Sequence, residues 1–121
     1  MWRRGERAAA AVMRRKGCRV VRRNLTLSPG EIDLLCVDRR TGVFVLVEVK
    51  ARLVRAGETR RPEDAITAAK RRKLLQLART LLVEERVRGA GLRIDVVAVE
   101  FEPGVRRPSA VRHYERAVGA G

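Results

Sequence analysis

The chain is poor in several residue types on which whole classes of function depend. Its four aromatics, Trp2, Phe44, Phe101 and Tyr114, are too few for a single-strand binder that stacks bases on aromatic rings. Cys18 and Cys36 stand far apart with no CxxC pairing, so neither a disulfide framework nor a cysteine zinc site is indicated, and both are expected in the core. His113 is the single histidine, which leaves almost no material for a histidine-based nucleophilic or zinc mechanism. No apolar run approaches the length of a membrane span. The opening stretch MWRRGERAAAAVMRRKG lacks both the unbroken apolar segment and the cleavage site of a secretory signal. A cytoplasmic protein without membrane association is the expectation.

Positive charge, by contrast, is in excess: 28 Lys and Arg stand against 14 Asp and Glu, a net charge of +14. Most of it is Arg, whose planar fork suits bidentate phosphate contacts, so a polyanionic partner is the natural reading, and duplex or branched nucleic acid fits better than single strands. At 121 residues the chain suits one domain, 1–121, large enough to bury a real core.

Trp2 to Lys16 has a helical pattern, with Ala8, Ala9, Val12 and Met13 on one side, Arg on the other and Gly17 at its end. Cys18 into the mid-twenties alternates weakly and reads as a first strand, closed by the Ser28-Pro29-Gly30 turn. Glu31 to Asp38 and Val43 to Ala51 read as a hairpin around Arg39-Arg40-Thr41-Gly42. The aperiodic stretch 53–61 predicts a mobile loop. Beyond Pro62 and the acidic Glu63-Asp64, the positions Ile66, Ala69, Leu74, Leu77, Ala78, Leu81 and Leu82 form a helical stripe. Leu92 to Phe101 reads as a fourth strand, Ala110 to Tyr114 as a short last one, and a polar tail is expected from about 115. The order α-β-β-β-α-β-(β) predicts an α/β fold in three α/β/α layers around a mixed central sheet.

The hairpin holds the candidate site. Alternation puts Phe44, Leu46, Glu48 and Lys50 on one face of the third strand, and Asp33 on one face of the second with Glu31, Leu35 and Val37. If Asp38 pairs with Val43 across the four-residue turn, Asp33 stands opposite Glu48, where two carboxylates repel unless a cation sits between them. Mg²⁺ (or Mn²⁺) takes one or two carboxylates with water and phosphate, and the Lys50 ammonium then lies beside it. Alone, a Glu-x-Lys on a strand is more often an ion-paired edge. Here the opposite face, Val43, Val45, Val47 and Val49, is apolar throughout, so the strand is expected to be buried on both sides, where charges need partners or a metal.

Asp33 followed by Glu48-Val49-Lys50 resembles the PD-(D/E)xK nuclease signature. GEIDLL with FVLVEVKAR is similar to the YraN-like family of uncharacterised bacterial proteins, related to archaeal Holliday-junction resolvases. Weaker matches fall at Gly5-Glu6 with Ala9, at Asn24, Lys70 and Arg93-Ile94-Asp95, and at His113-Tyr114. Departures fall at Ala51, where Thr is frequent, at Ile94, where an aromatic is usual, and at Trp2, where a glycine is often found. The resemblance implies a restriction-endonuclease-like fold, Asp33 and Glu48 as metal ligands and Lys50 as the catalytic lysine, acting on DNA, with branched or junction DNA as one candidate form. Glu6 would approach the metal from the first helix, or else pair with a surface arginine. Lys70 lies on the inward stripe of the second helix, either for function or snorkelling to solvent. Glu31 would support Asp33 or pair with Arg52. Arg52, Arg71, Arg72 and Lys73 are the candidate phosphate contacts, and the resolvase analogy suggests a homodimer. The expected function is a metal-dependent endonuclease; the alternative is a nucleic-acid-binding protein that keeps the fold and does not cut.

Overall fold

A computed structural model describes residues 2–119. Helix α1 (Trp2–Arg15) leads into strands β1 (Cys18–Leu27), β2 (Gly30–Asp38) and β3 (Phe44–Leu53). A 3-10 turn (Pro62–Ala65), α2 (Ala68–Leu81) and α3 (Glu85–Ala90) then cross over to β4 (Leu92–Phe101) and β5 (Ala110–Val118). The five strands form one sheet in the order β1-β2-β3-β4-β5, antiparallel except for the parallel pair β3 and β4. This is the mixed α/β architecture expected of a restriction-endonuclease-like fold. No helix among the described residues is long and apolar enough to cross a membrane.

Each face of the sheet buries its own helix, which is why β3 and β4 are nearly continuous apolar runs. On one face Ala9, Ala10 and Met13 of α1 pack against Val45, Val47, Val49, Val97, Val99 and Phe101, and both cysteines lie free and buried near them. On the other, Leu74, Leu77, Ala78 and Leu81 of α2 and Val87 of α3 cover Ile32, Phe44, Leu46 and Ile94. Alanine gives α1 high helix propensity and a thin inner face, so the helix approaches the sheet closely. A Cβ built on Gly5 would stand 2.7 Å from the Ala51 Cβ. Glycine at 5 is therefore a packing requirement. The helix stops at Gly17, whose φ of 89° is the left-handed conformation that side chains resist.

Three boundaries differ from the sequence expectation. The stripe from Ile66 to Leu82 is not one helix starting behind Pro62. Pro62–Ala65 makes a separate turn, and α2 begins only after Thr67, whose hydroxyl accepts from the Lys70 amide at 3.2 Å. Ala69, expected on the inner stripe, is exposed at the start of α2. Leu53 belongs to β3, leaving 54–61 irregular. The polar tail expected from about 115 is instead the second half of β5. Its period is disguised by a bulge in which Arg116 takes φ 51° and the register against β4 shifts between Ile94 and Val96, after which Val118 pairs with Ile94 and is buried.

The 3-10 turn is clamped to the sheet by one carboxylate. Arg112 of β5 grips Glu63 with Nε at 2.6 Å and Nη2 at 2.8 Å, the Tyr114 hydroxyl donates to the same carboxylate, and Arg112 also pairs with Glu100. The Arg112 hydrogen bonds hold the Glu63 carboxyl down to about 2, against the opposing effect of burial. A depressed carboxyl stabilises the fold above its ordinary pKa, and that contribution disappears as pH falls through the depressed value.

Two outcomes follow. Gly5→Val should lower stability by about 1–3 kcal/mol in denaturant unfolding, and Ala51→Gly in the same chain should restore part of the loss by vacating the contact. Wild type should exceed Glu63→Gln in stability by roughly 2 kcal/mol at neutral pH, with the difference shrinking between pH 4.5 and 2 as measured by thermal melts.

Candidate metal and phosphate site

At the open end of the β2–β3 hairpin the apolar ladder gives way to acid. The expected register is the observed one. Asp38 donates its amide to the Val43 carbonyl at 2.9 Å, and pairing runs from Val37 and Phe44 to Leu34 and Val47. One step further, Asp33 and Glu48 meet, and regular pairing stops because the Asp33 side chain takes the place of a strand: Oδ2 accepts from the Val49 amide at 2.8 Å. Phe44 and Leu46 put this face of β3 on the α2 side, and Glu48 and Lys50 continue it.

Both carboxylates are buried, Asp33 to 5% and Glu48 to 4% exposure. Burial, and then the neighbouring Glu48 and Glu6, push the Asp33 carboxyl well above its usual range, with the Val49 hydrogen bond opposing them. Two acids this close and this dry do not both ionise unless positive charge intervenes. What intervenes is lysine: Lys70 Nζ lies 2.8 Å from Glu48 Oε2 and Lys50 Nζ 3.7 Å from the same atom. Lys70 thus turns inward from α2, as its place on the stripe suggests. Glu48 Oε2 nevertheless has no solvent access and no partner with hydrogen-bond geometry.

Glu6 is also buried, at 5% exposure, carried to the sheet by the close seat of Gly5 on Ala51. Among the described residues it pairs with no surface arginine. Its partner is Asn24, which takes φ 49° in β1 between the pairs Arg23–Leu34 and Leu25–Ile32, and so lies across from Asp33. Oriented with its nitrogen toward the acids, the Asn24 amide donates to Glu6 Oε2 at 2.8 Å and to the exposed Glu31 at 3.3 Å. Asn24 is the residue whose role sequence reasoning did not assign. The available signal was an asparagine in mid-strand, a side chain that tolerates the left-handed region.

The candidate phosphate contacts separate. Arg52 pairs with Glu58 at 3.2 Å, not with Glu31. Arg71 turns away to donate to the Ala117 carbonyl of β5 at 3.3 Å. Arg72 and Lys73 are exposed on α2 with no ion pair among the described residues, and the Lys73 stem runs over Gly30, where an added Cβ would meet its Cε at 3.0 Å. Lys73 is therefore the one that borders the acidic end of the hairpin.

As a metal site the donor set is spare. Among the described residues no three Asp, Glu, His or Cys side chains converge on one point. Asp33 and Glu48 supply hard oxygens, one of them without a hydrogen bond, and a two-carboxylate set with open positions suits Mg²⁺ or Mn²⁺ better than a softer ion.

A second charged group lies on the α1 side of the sheet and has a structural part. Asp95 is fully buried and accepts from Arg93 Nε at 3.2 Å, His113 Nε2 at 2.7 Å and the Arg116 amide at 3.1 Å, while Arg93 Nη1 reaches Asp38 at 3.2 Å. Burial pushes the Asp95 carboxyl up, but these hydrogen bonds and the Arg93 charge outweigh it and hold the group low. Arg93, Asp95 and His113 thus lock β5 and its bulge onto β4 and the hairpin turn.

Comparison with known proteins places these residues in a lineage. A family described as "Uncharacterised protein family UPF0102" matches residues 5–99, from Gly5 in α1 to Val99 near the end of β4. A UPF0102 protein of Rhodopirellula baltica is 38% identical over 119 residues, covering 98% of this chain and 70% of its own. One of Symbiobacterium thermophilum is 43% identical over 102 residues, covering 84% and 83%. Among solved structures, SfsA of Pyrococcus furiosus in complex with Ca²⁺ aligns at a TM-score of 0.35 and 14% identity, over 93% of this chain and 60% of that one, a likeness too loose to bear on the site. With the family match covering most of α1, the whole hairpin and both Asp33 and Glu48, the chain belongs to the uncharacterised protein family UPF0102.

Proposed function

We propose that this chain is a metal-dependent phosphodiesterase acting on nucleic acid, an endonuclease-like enzyme whose substrate is DNA. The observation that carries this reading is the buried pair Asp33 and Glu48 with two ammonium groups at the end of a strand. Both ammonium groups lie on Glu48 and, among the described residues, neither pairs with Asp33, so a second acid is buried against the first without a cation of its own. Asp33 and Glu48 would hold the ion, Mg²⁺ or Mn²⁺. When bound, it would supply a water acidic enough to act as nucleophile near neutral pH.

The other residues have parts that follow from where they lie. Lys50, two positions beyond Glu48 on the same face and 26% exposed, can offset charge that builds on a phosphate oxygen. Glu6, held by Asn24, adds negative potential behind Asp33. The net charge of +14 and the free Arg72 and Lys73 supply a sequence-independent grip on the backbone. A branched substrate with two equivalent strands would call for a second copy of the chain.

A second reading has one observation in its favour. Lys70 already neutralises Glu48, so the site is compatible with a protein that binds nucleic acid and does not cut it. Incubation with linear, nicked and four-way-junction DNA and with RNA, in Mg²⁺, Mn²⁺ or EDTA, separates the two. Cutting that needs the ion and falls by about 10²-fold or more in Glu48→Ala supports the enzyme. Binding without cutting, indifferent to that substitution, supports the second reading. In either case affinity should fall steeply with salt, as measured by fluorescence anisotropy, and a flat dependence would contradict a phosphate grip.

A further inference from the structure

The two ammonium groups at Glu48 are not equivalent. Lys50 belongs to β3 itself, its backbone fixed in the ladder beside Ala98. Its Nζ stands off Glu48 Oε2 by 3.7 Å, and its place does not depend on any other element. Lys70 comes from a different layer, the first turn of α2, and reaches down onto the sheet to within 2.8 Å of the same oxygen. That contact lacks hydrogen-bond geometry, since Glu48 Oε2 has no hydrogen-bond partner among the described residues. The Lys70 side chain is 29% exposed, so a path to water is open to it. A flexible four-carbon stem held at its tip by charge alone can be displaced at little cost.

We propose that Lys70 is a displaceable counter-ion. Its ammonium stands beside Glu48 where a divalent cation would bind, holds the carboxylate in the metal-free protein, and yields it when an ion arrives. This rests on the metal reading above and deepens it. The reasoning is electrostatic: a doubly charged ion on Glu48 and an ammonium 2.8 Å from the same oxygen repel each other, and Lys70 is the partner free to leave. Once released, its charge joins Arg72 and Lys73 of the same helix, on the side from which a phosphate would approach. Lys70 therefore opposes metal binding and supports the metal-free fold, whereas a ligand or a simple packing residue would affect both in one direction.

Lys70→Met keeps the stem and the helix and removes the charge; Lys70→Gln serves as a second variant should Met disturb folding. Mn²⁺ is titrated into the protein by calorimetry, and melting is followed in EDTA by circular dichroism. Expected are Mn²⁺ binding about fivefold tighter than wild type and a lower melting midpoint in EDTA. That lowering should vanish when the substitution is made in a Glu48→Gln background, because the charge Lys70 balances is gone. Unchanged or weaker Mn²⁺ binding in both variants, while wild type binds, overturns the counter-ion role and leaves the metal reading standing. An unaltered midpoint in EDTA, or a lowering that persists in Glu48→Gln, overturns it likewise. Wild type that binds no Mn²⁺, or binds it as well after Glu48→Gln, overturns both.

Discussion

Asp33 and Glu48 face one another in a dry place, and much of the surrounding structure compensates for that. An isolated buried carboxylate is costly and two adjacent ones more so, yet the sheet delivers them to the same spot by register. Each neighbour offsets part of the cost: the Val49 amide takes one Asp33 oxygen, Lys70 and Lys50 approach Glu48, and the Asn24 amide absorbs the charge of Glu6. Strand pairing ends where it does because a backbone donor has been given to a side chain. Even the glycine at position 5 belongs to this account, since only a residue without a Cβ lets α1 seat its first turn against Ala51 and bring Glu6 down.

The molecule carries charge inside on both faces of the sheet, handled in two ways. On the α1 side Asp95 accepts from Arg93, His113 and Arg116 and so ties β5 to β4. On the α2 side Glu48 is left with an oxygen that no hydrogen bond reaches. The network around Asp95 also leaves one atom over, His113 Nδ1, buried without a hydrogen bond; the difference lies in the kind of atom, a ring nitrogen there and a carboxylate oxygen at Glu48.

How much of this could be read beforehand depended on the range of the forces involved. The hairpin register and the meeting of Asp33 with Glu48 followed from alternation and a four-residue turn, both local rules, and β4 was legible from end to end as an apolar run. The inward course of Lys70 followed from helical spacing. Less was legible where a distant contact overrode a local pattern. Residues 115–118 look like a tail because Glu115 and Arg116 break the period, and only the Asp95 carboxylate, twenty-one residues upstream, explains why the strand continues through a bulge. The start of α2 was hidden because Pro62 and the acidic pair are a good opening for a helix, while Glu63 is in fact committed to Arg112 and Tyr114 on another strand. Asn24 gave no periodic signal, its role being set by a left-handed backbone that pairs it with acids from two other elements.

The strand order leaves β1 and β5 as the two rims of an open sheet. Exposed rims invite like rims of other molecules to add on, a common start to aggregation. Along β1 the chain sets Arg19, Arg22 and Arg23, all exposed, and on β5 the Arg116 bulge interrupts a regular edge. Two β1 rims brought together would set cation against cation. The arginines of the β1 rim thus oppose the edge-to-edge pairing of two such strands into a continuous sheet.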